Sequence, residues 1–123
     1  MDARYVFAVR FRLEPVTDGV SVAPDEFETR LYREADPPGE DGWLFFRDNL
    51  WRGEINDERH FRRLTEEALD ATVVSVEYRS LETDEEYLEA LKDGIRADLG
   101  TFKADSVSEV LNKYLGSSIE VQK

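Results

Sequence analysis

Cysteine is absent, and histidine occurs once, at His60. The first absence excludes a disulfide, a thiolate metal site and a cysteine nucleophile. The second excludes a multi-histidine metal site within one chain. Lysine is almost as scarce, occurring only at Lys92, Lys103, Lys113 and Lys123. No apolar run approaches the roughly 18–20 residues of a membrane span, and Met1-Asp2-Ala3-Arg4 leads into no signal-peptide apolar region. A cytoplasmic location without a membrane partner is therefore expected. The seven glycines stand singly, with neither GxGxxG nor GxxxxGK among them, so no phosphate-cradling loop is encoded. The serines lack the GxSxG context of a nucleophile elbow.

What is present is acid. The 123 residues carry 28 acidic and 16 basic side chains, for a net charge of −12, and 41% are hydrophobic. That length fits one domain, residues 1–123, with enough apolar material for a core. The acids are spread along the chain rather than gathered in a tail, which makes the whole solvated face anionic. Molar salt accounts for such a surface: at about 1 M the Debye length is ~3 Å, so neighbouring carboxylates hardly repel one another. In dilute buffer the same surface repels itself and destabilises the compact state. Two stretches escape the bias. Residues 1–12 carry +2 and residues 47–63 carry +1, whereas residues 13–46 carry −7 and residues 64–123 carry −8.

Hydrophobic periodicity predicts an α+β fold, with an antiparallel sheet of four to five strands and helices packed on one face. Tyr5, Phe7, Val9, Phe11 and Leu13 alternate as a strand with one buried face. Residues 26–34 read as a second, more exposed strand. The turn Pro37-Pro38-Gly39-Glu40-Asp41-Gly42 leads into Trp43-Leu44-Phe45-Phe46, apolar on both faces as a covered central strand would be. Asn56 or Asp57 can cap a helix running to about Leu69. Residues 71–79 return to a strand with Val74, Val76 and Tyr78 on one face. Thr83 with Glu86, and Ser106 with Glu109, fit capping boxes opening two helices that stop at Gly100 and Gly116. Ile119 and Val121 allow a short last strand.

Three functional readings are open. The densest signal is the 46–63 segment, Phe46-Arg47-Asp48-Asn49-Leu50-Trp51-Arg52-Gly53-Glu54-Ile55-Asn56-Asp57-Glu58-Arg59-His60-Phe61-Arg62-Arg63, which interleaves arginine with large aromatics. Tryptophan and arginine dominate interface hot spots. Arg47, Leu50, Trp51, Arg52, Arg59, Arg62 and Arg63 are accordingly the candidate interaction residues of a non-enzymatic module that docks a protein partner or itself. Leu50 and Trp51 can equally pack where a strand hands over to a helix. A second reading sets Arg4, Arg10 and Arg12 of the first strand beside the 47–63 arginines as a nucleic-acid (RNA) surface. Net charge opposes it, and phosphate affinity falls steeply with salt. A third makes His60 a general base oriented by Asp57 or Glu58, in a small enzyme. No convergent motif supports this one, and carboxylate pairs such as Glu66-Glu67 are what chance provides in so acidic a chain. No catalytic residue, metal or cofactor is assigned.

Leu50-Trp51-Arg52 within the run FRDNLWRGEIND, in a short and highly acidic chain, resembles the haloarchaeal LWR-salt protein family over essentially its whole length. The resemblance implies a haloarchaeal cytoplasm. It brings no activity, cofactor or catalytic residue to carry over.

Overall fold

The computed structural model describes residues 1–122. Strands β1 (Ala3–Arg12), β2 (Glu26–Glu34), β5 (Thr72–Thr83) and β6 (Ile119–Val121) form a sheet in the order β2-β1-β5-β6. A separate hairpin pairs β3 (Leu50–Trp51) with β4 (Glu54–Ile55). The helices are α1 (Phe45–Asn49), α2 (Glu58–Leu69), α3 (Glu85–Arg96) and α4 (Val107–Leu115). The architecture is α+β, as the periodicity predicted. β1 is antiparallel to both β2 and β5, while β6 returns through α3 and α4 to lie parallel to β5.

The alternation of β1 decides which face is covered. Tyr5, Phe7 and Val9 are buried in the core cluster with residues of all four helices. Phe45 of α1 lies 4.6 Å from the Tyr5 ring, and Phe61 of α2 lies 4.8 Å from Phe7. Each such aromatic contributes roughly 1.5–3 kcal/mol by leaving water. The intervening residues Arg4, Val6, Ala8, Arg10 and Arg12 point to the other face, which, among the described residues, no helix covers. There Arg4 is flanked across the ladders by Glu34 and Glu82, Arg10 by Glu28, and Arg12 by Glu26. Two of these pairings close as ion pairs, Arg4–Glu82 at 2.8 Å and Arg12–Glu26 at 2.9 Å.

The structure corrects the reading of residues 43–46 as a strand. Trp43 and Leu44 complete the turn, and Phe45 and Phe46 open α1. The turn bonds Trp43 N–H to Glu40 O and Phe45 N–H to Gly42 O wind the chain before extended structure can start. Phe45 meets the sheet, while Phe46 stacks on Phe102 at 5.9 Å. A four-residue apolar run is satisfied this way as well as by a strand, and periodicity cannot separate the two.

β5 also departs from its expected face. Its register against β1 shifts between Arg10 and Phe11, so Val73 rather than Val74 turns into the core beside Val76 and Tyr78. A bulge that adds one residue reverses the in–out parity of the strand on its far side. At α3 the cap is Asp84, whose Oδ1 accepts from Tyr87 N–H at 2.7 Å, because Thr83 is retained as the last residue of β5. α3 ends at Arg96, four residues short of Gly100, and the succeeding turns carry Phe102 into the core. At α4 half of the box forms: Ser106 Oγ accepts from Glu109 N–H at 3.1 Å, while Glu109 Oε2 accepts from Asp105 N–H at 2.9 Å, one residue before the cap, rather than from Ser106 N–H. Among the described residues, no helix is long and apolar enough to cross a membrane.

Candidate functional site

Leu50-Trp51-Arg52-Gly53-Glu54-Ile55 makes a hairpin with a two-residue tip, Arg52-Gly53. Both tip residues have positive φ, 53° and 81°. That is the requirement of the tight turn whose twist suits a hairpin, and Asn-Gly is its favoured sequence. Gly53 meets it without steric cost, whereas Arg52 is an L-residue held in the left-handed region, at roughly 1–2 kcal/mol.

The tip is fastened to α4. Arg52 N–H donates to Lys113 O at 2.8 Å and Gly53 N–H to Tyr114 O at 2.9 Å. The last carbonyls of a helix lack partners within it, so the hairpin satisfies two of them. Ser118 satisfies a third, its Oγ donating to Leu115 O at 2.6 Å while sharing a 2.8 Å hydrogen bond with the Tyr78 hydroxyl. Burial pushes the Tyr78 phenol up to about 12. The approach is close from both sides. A Cβ on Gly53 would lie 3.2 Å from Leu115 O, and one on Gly116 would lie 3.3 Å from Arg52 O.

This clasp sorts the three consecutive side chains. Leu50 is fully buried (0% exposed) among the core residues and anchors the hairpin. Trp51 is 45% exposed, with Tyr114 edge-on at 5.9 Å supporting the ring. Arg52 places its guanidinium carbon 5.7 Å from the indole centroid, and Lys113 Nζ lies 6.0 Å from the same ring. Trp51, Arg52, Glu109, Asn112 and Lys113 line a shallow hollow of about 520 Å³. Lys113 is also tethered, donating to Phe102 O at 3.0 Å.

The other nominated arginines do not line this hollow. Arg47, on α1, is paired to Asp48 at 3.1 Å. Arg59, Arg62 and Arg63 ride α2, where Arg62 reaches Glu58 at 3.7 Å. Arg4, Arg10 and Arg12 occupy the sheet face opposite the one on which residues 45–69 pack, so the two arginine groups share no surface. His60 is exposed in the first turn of α2, and its backbone N–H donates to Asp57 Oδ1 at 3.2 Å. Among the described residues, no cluster of three or more histidine, cysteine or acidic groups could hold a metal ion. Sequence reasoning missed Glu109, Asn112 and Lys113, which join Trp51 from about sixty positions away. Their spacing on one helical face was readable, but that this face meets the hairpin was not.

The LWR-salt protein family matches the sequence over residues 1–123. The chain belongs to that family. No curated protein and no solved structure matches it. The three letters in the family's name stand here at Leu50, Trp51 and Arg52: one core anchor, one half-exposed indole and one strained turn residue.

Proposed function

We propose that this member of the LWR-salt family is a non-enzymatic docking module, adapted to a cytoplasm of molar salt, that binds a protein partner through the Trp51–Arg52–Lys113 hollow. The observation that carries the reading is Arg52. A hairpin tip with two positive φ angles calls for asparagine then glycine, and here an arginine holds the first position at a cost in backbone strain. The strain places a cation beside a half-exposed tryptophan that is itself held by a clamped hairpin. Pre-organised tryptophan and arginine side chains are what a binding hot spot needs. The partner's matching chemistry is a carboxylate beside an apolar side chain, meeting the two cations and the indole together. Charge-assisted contacts at hydrogen-bond range survive short screening lengths better than long-range attraction does. The net charge of −12 and the four lysines support the salt-adapted part of the proposal.

The test is affinity capture in about 2–3 M KCl, where the screening length is only a few ångströms, comparing the wild type with Trp51→Ala and Arg52→Asn. Asparagine keeps the left-handed turn and removes the cation. Partners held by the wild type should be lost from both variants while both keep the wild-type circular dichroism spectrum. Capture of the same proteins by all three would overturn the reading.

A further inference from the structure

β2 is an edge strand guarded against pairing by its charged side chains alone. It runs for nine residues with neither proline nor lysine, and its register against β1 is unbroken from Arg4↔Glu34 to Arg12↔Glu26, so no bulge turns it away. The flanking bonds Ala35 N–H to Ala3 O and Leu13 N–H to Asp25 O show that odd-numbered positions bond to β1. An antiparallel ladder alternates. The even-numbered residues Glu26, Glu28, Arg30, Tyr32 and Glu34 therefore aim their N–H and C=O groups outward, where, among the described residues, the sheet has no further strand. On the helix-side face of the same edge, Phe27 is 38% exposed, and Leu31 borders an apolar groove shared with Leu64, itself 45% exposed.

We infer that β2 pairs antiparallel with β2 of a second copy of this chain, centred on Thr29, to join two four-stranded sheets into one. The choice of register rests on charge and side-chain matching. Centring on Thr29 sets Glu28 of each copy opposite Arg30 of the other, Glu26 opposite Tyr32, and Phe27 opposite Leu31 on the helix side. Centring on Arg30 instead opposes arginine to itself and Glu26 to Glu34. Centring on Leu31 opposes Glu28 to Glu34, and centring on Glu28 opposes glutamate to itself. A centre at Tyr32 matches Arg30 to Glu34 but pairs only five residues of β2 and leaves Phe27 outside. Opposed charges and apolar cross-strand pairs stabilise a ladder, and like charges directly opposite destabilise it. The Thr29 centre alone combines matched charges, matched apolar residues and seven paired positions. This surface is separate from the Trp51 hollow, so the two proposals stand or fall independently.

The absence of cysteine makes the test clean, because an engineered thiol can bridge only to its copy. Thr29 sits at a position not bonded across the new ladder, where facing Cα atoms lie about 4.5 Å apart, within disulfide range. In molar KCl and mild oxidant, Thr29→Cys should form covalent dimer at least about tenfold faster than Arg33→Cys, since facing thiols have a high effective concentration. Arg30→Pro removes an outward N–H while sparing the bonds to β1, as edge positions allow. It should sediment as a monomer with an unchanged circular dichroism spectrum, whereas the wild type and Trp51→Ala sediment as dimers. A monomeric wild type at micromolar concentration, or equal cross-linking at positions 29 and 33, overturns the inference. Should Arg30→Pro fail to fold, the cysteine pair still decides.

Discussion

Replacing Gly53 with alanine should loosen the hairpin from α4 by an amount that can be worked out beforehand. The backbone at Gly53 has φ +81°, where a Cβ costs roughly 1–2 kcal/mol. The new methyl would also sit 3.2 Å from Leu115 O, a backbone atom in the last turn of α4 with little room to yield. The tip must then lift, weakening the hydrogen bonds to Lys113 O and Tyr114 O, each worth about 1 kcal/mol net. The expected loss is about 2–4 kcal/mol. Gly19→Ala is the control. Its φ is +80°, yet nothing lies within 4 Å of its added Cβ, so it should show the backbone cost alone, ~1–2 kcal/mol. Urea unfolding in molar KCl, followed by indole emission and far-ultraviolet circular dichroism, measures both. Gly116→Ala strikes the same contact from the other side, so its effect and that of Gly53→Ala should add to less than their sum. Equal losses for Gly53→Ala and Gly19→Ala would refute the claim that the tip is clasped to α4.

The same geometry sets other outcomes. Arg52→Asn should stabilise the fold by about 0.5–1 kcal/mol in a urea titration, because asparagine tolerates the left-handed turn; a destabilised variant would show that Arg52 is not strained. The Asp84 carboxyl is held below its ordinary value, first by Tyr87 N–H and then by Asp2 N–H, so its contribution is present above the unfolded carboxylate pKa and lost as pH falls through the lowered native one. Asp84→Asn should flatten that acid limb in pH-dependent melts. On the alkaline side, burial raises the Tyr78 and Tyr87 phenols to about 12. Their contribution is fully present below the ordinary phenol pKa of about 10 and should disappear between pH ~10 and ~12, together with the rise of phenolate absorbance. Melting temperature should climb as KCl goes from dilute to molar, as screening removes the self-repulsion of the net −12 surface; a salt-independent melt would contradict the proposed adaptation.

Where local chemistry determines structure, the residues announced it. The alternation Tyr5-Phe7-Val9, the cap at Ser106 and the stop at Gly116 are each settled within a few positions of chain. Trp43-Leu44-Phe45-Phe46 misled because its environment comes from distant groups, Tyr5 on one side and Phe102 on the other. The shift from Val74 to Val73 depends on register against β1, which nothing inside β5 encodes. The site divides in the same way. Trp51 and Arg52 stood out as residue types. That Leu50 would anchor the core, that Arg52 would share the turn's positive φ, and that Lys113 would flank the indole all depend on the contact between hairpin and helix end, which joins segments far apart in sequence.

That contact makes two distant parts of the chain a single thermodynamic unit. Amides of residues 50–55 and those closing α4 near residues 113–118 must open to solvent together, because each shields the other's hydrogen bonds. A molecule resting on the indole would therefore slow hydrogen exchange at the end of α4 without touching its backbone. The helix would report occupancy at the hairpin, and a loosened helix end would in turn weaken whatever the indole holds.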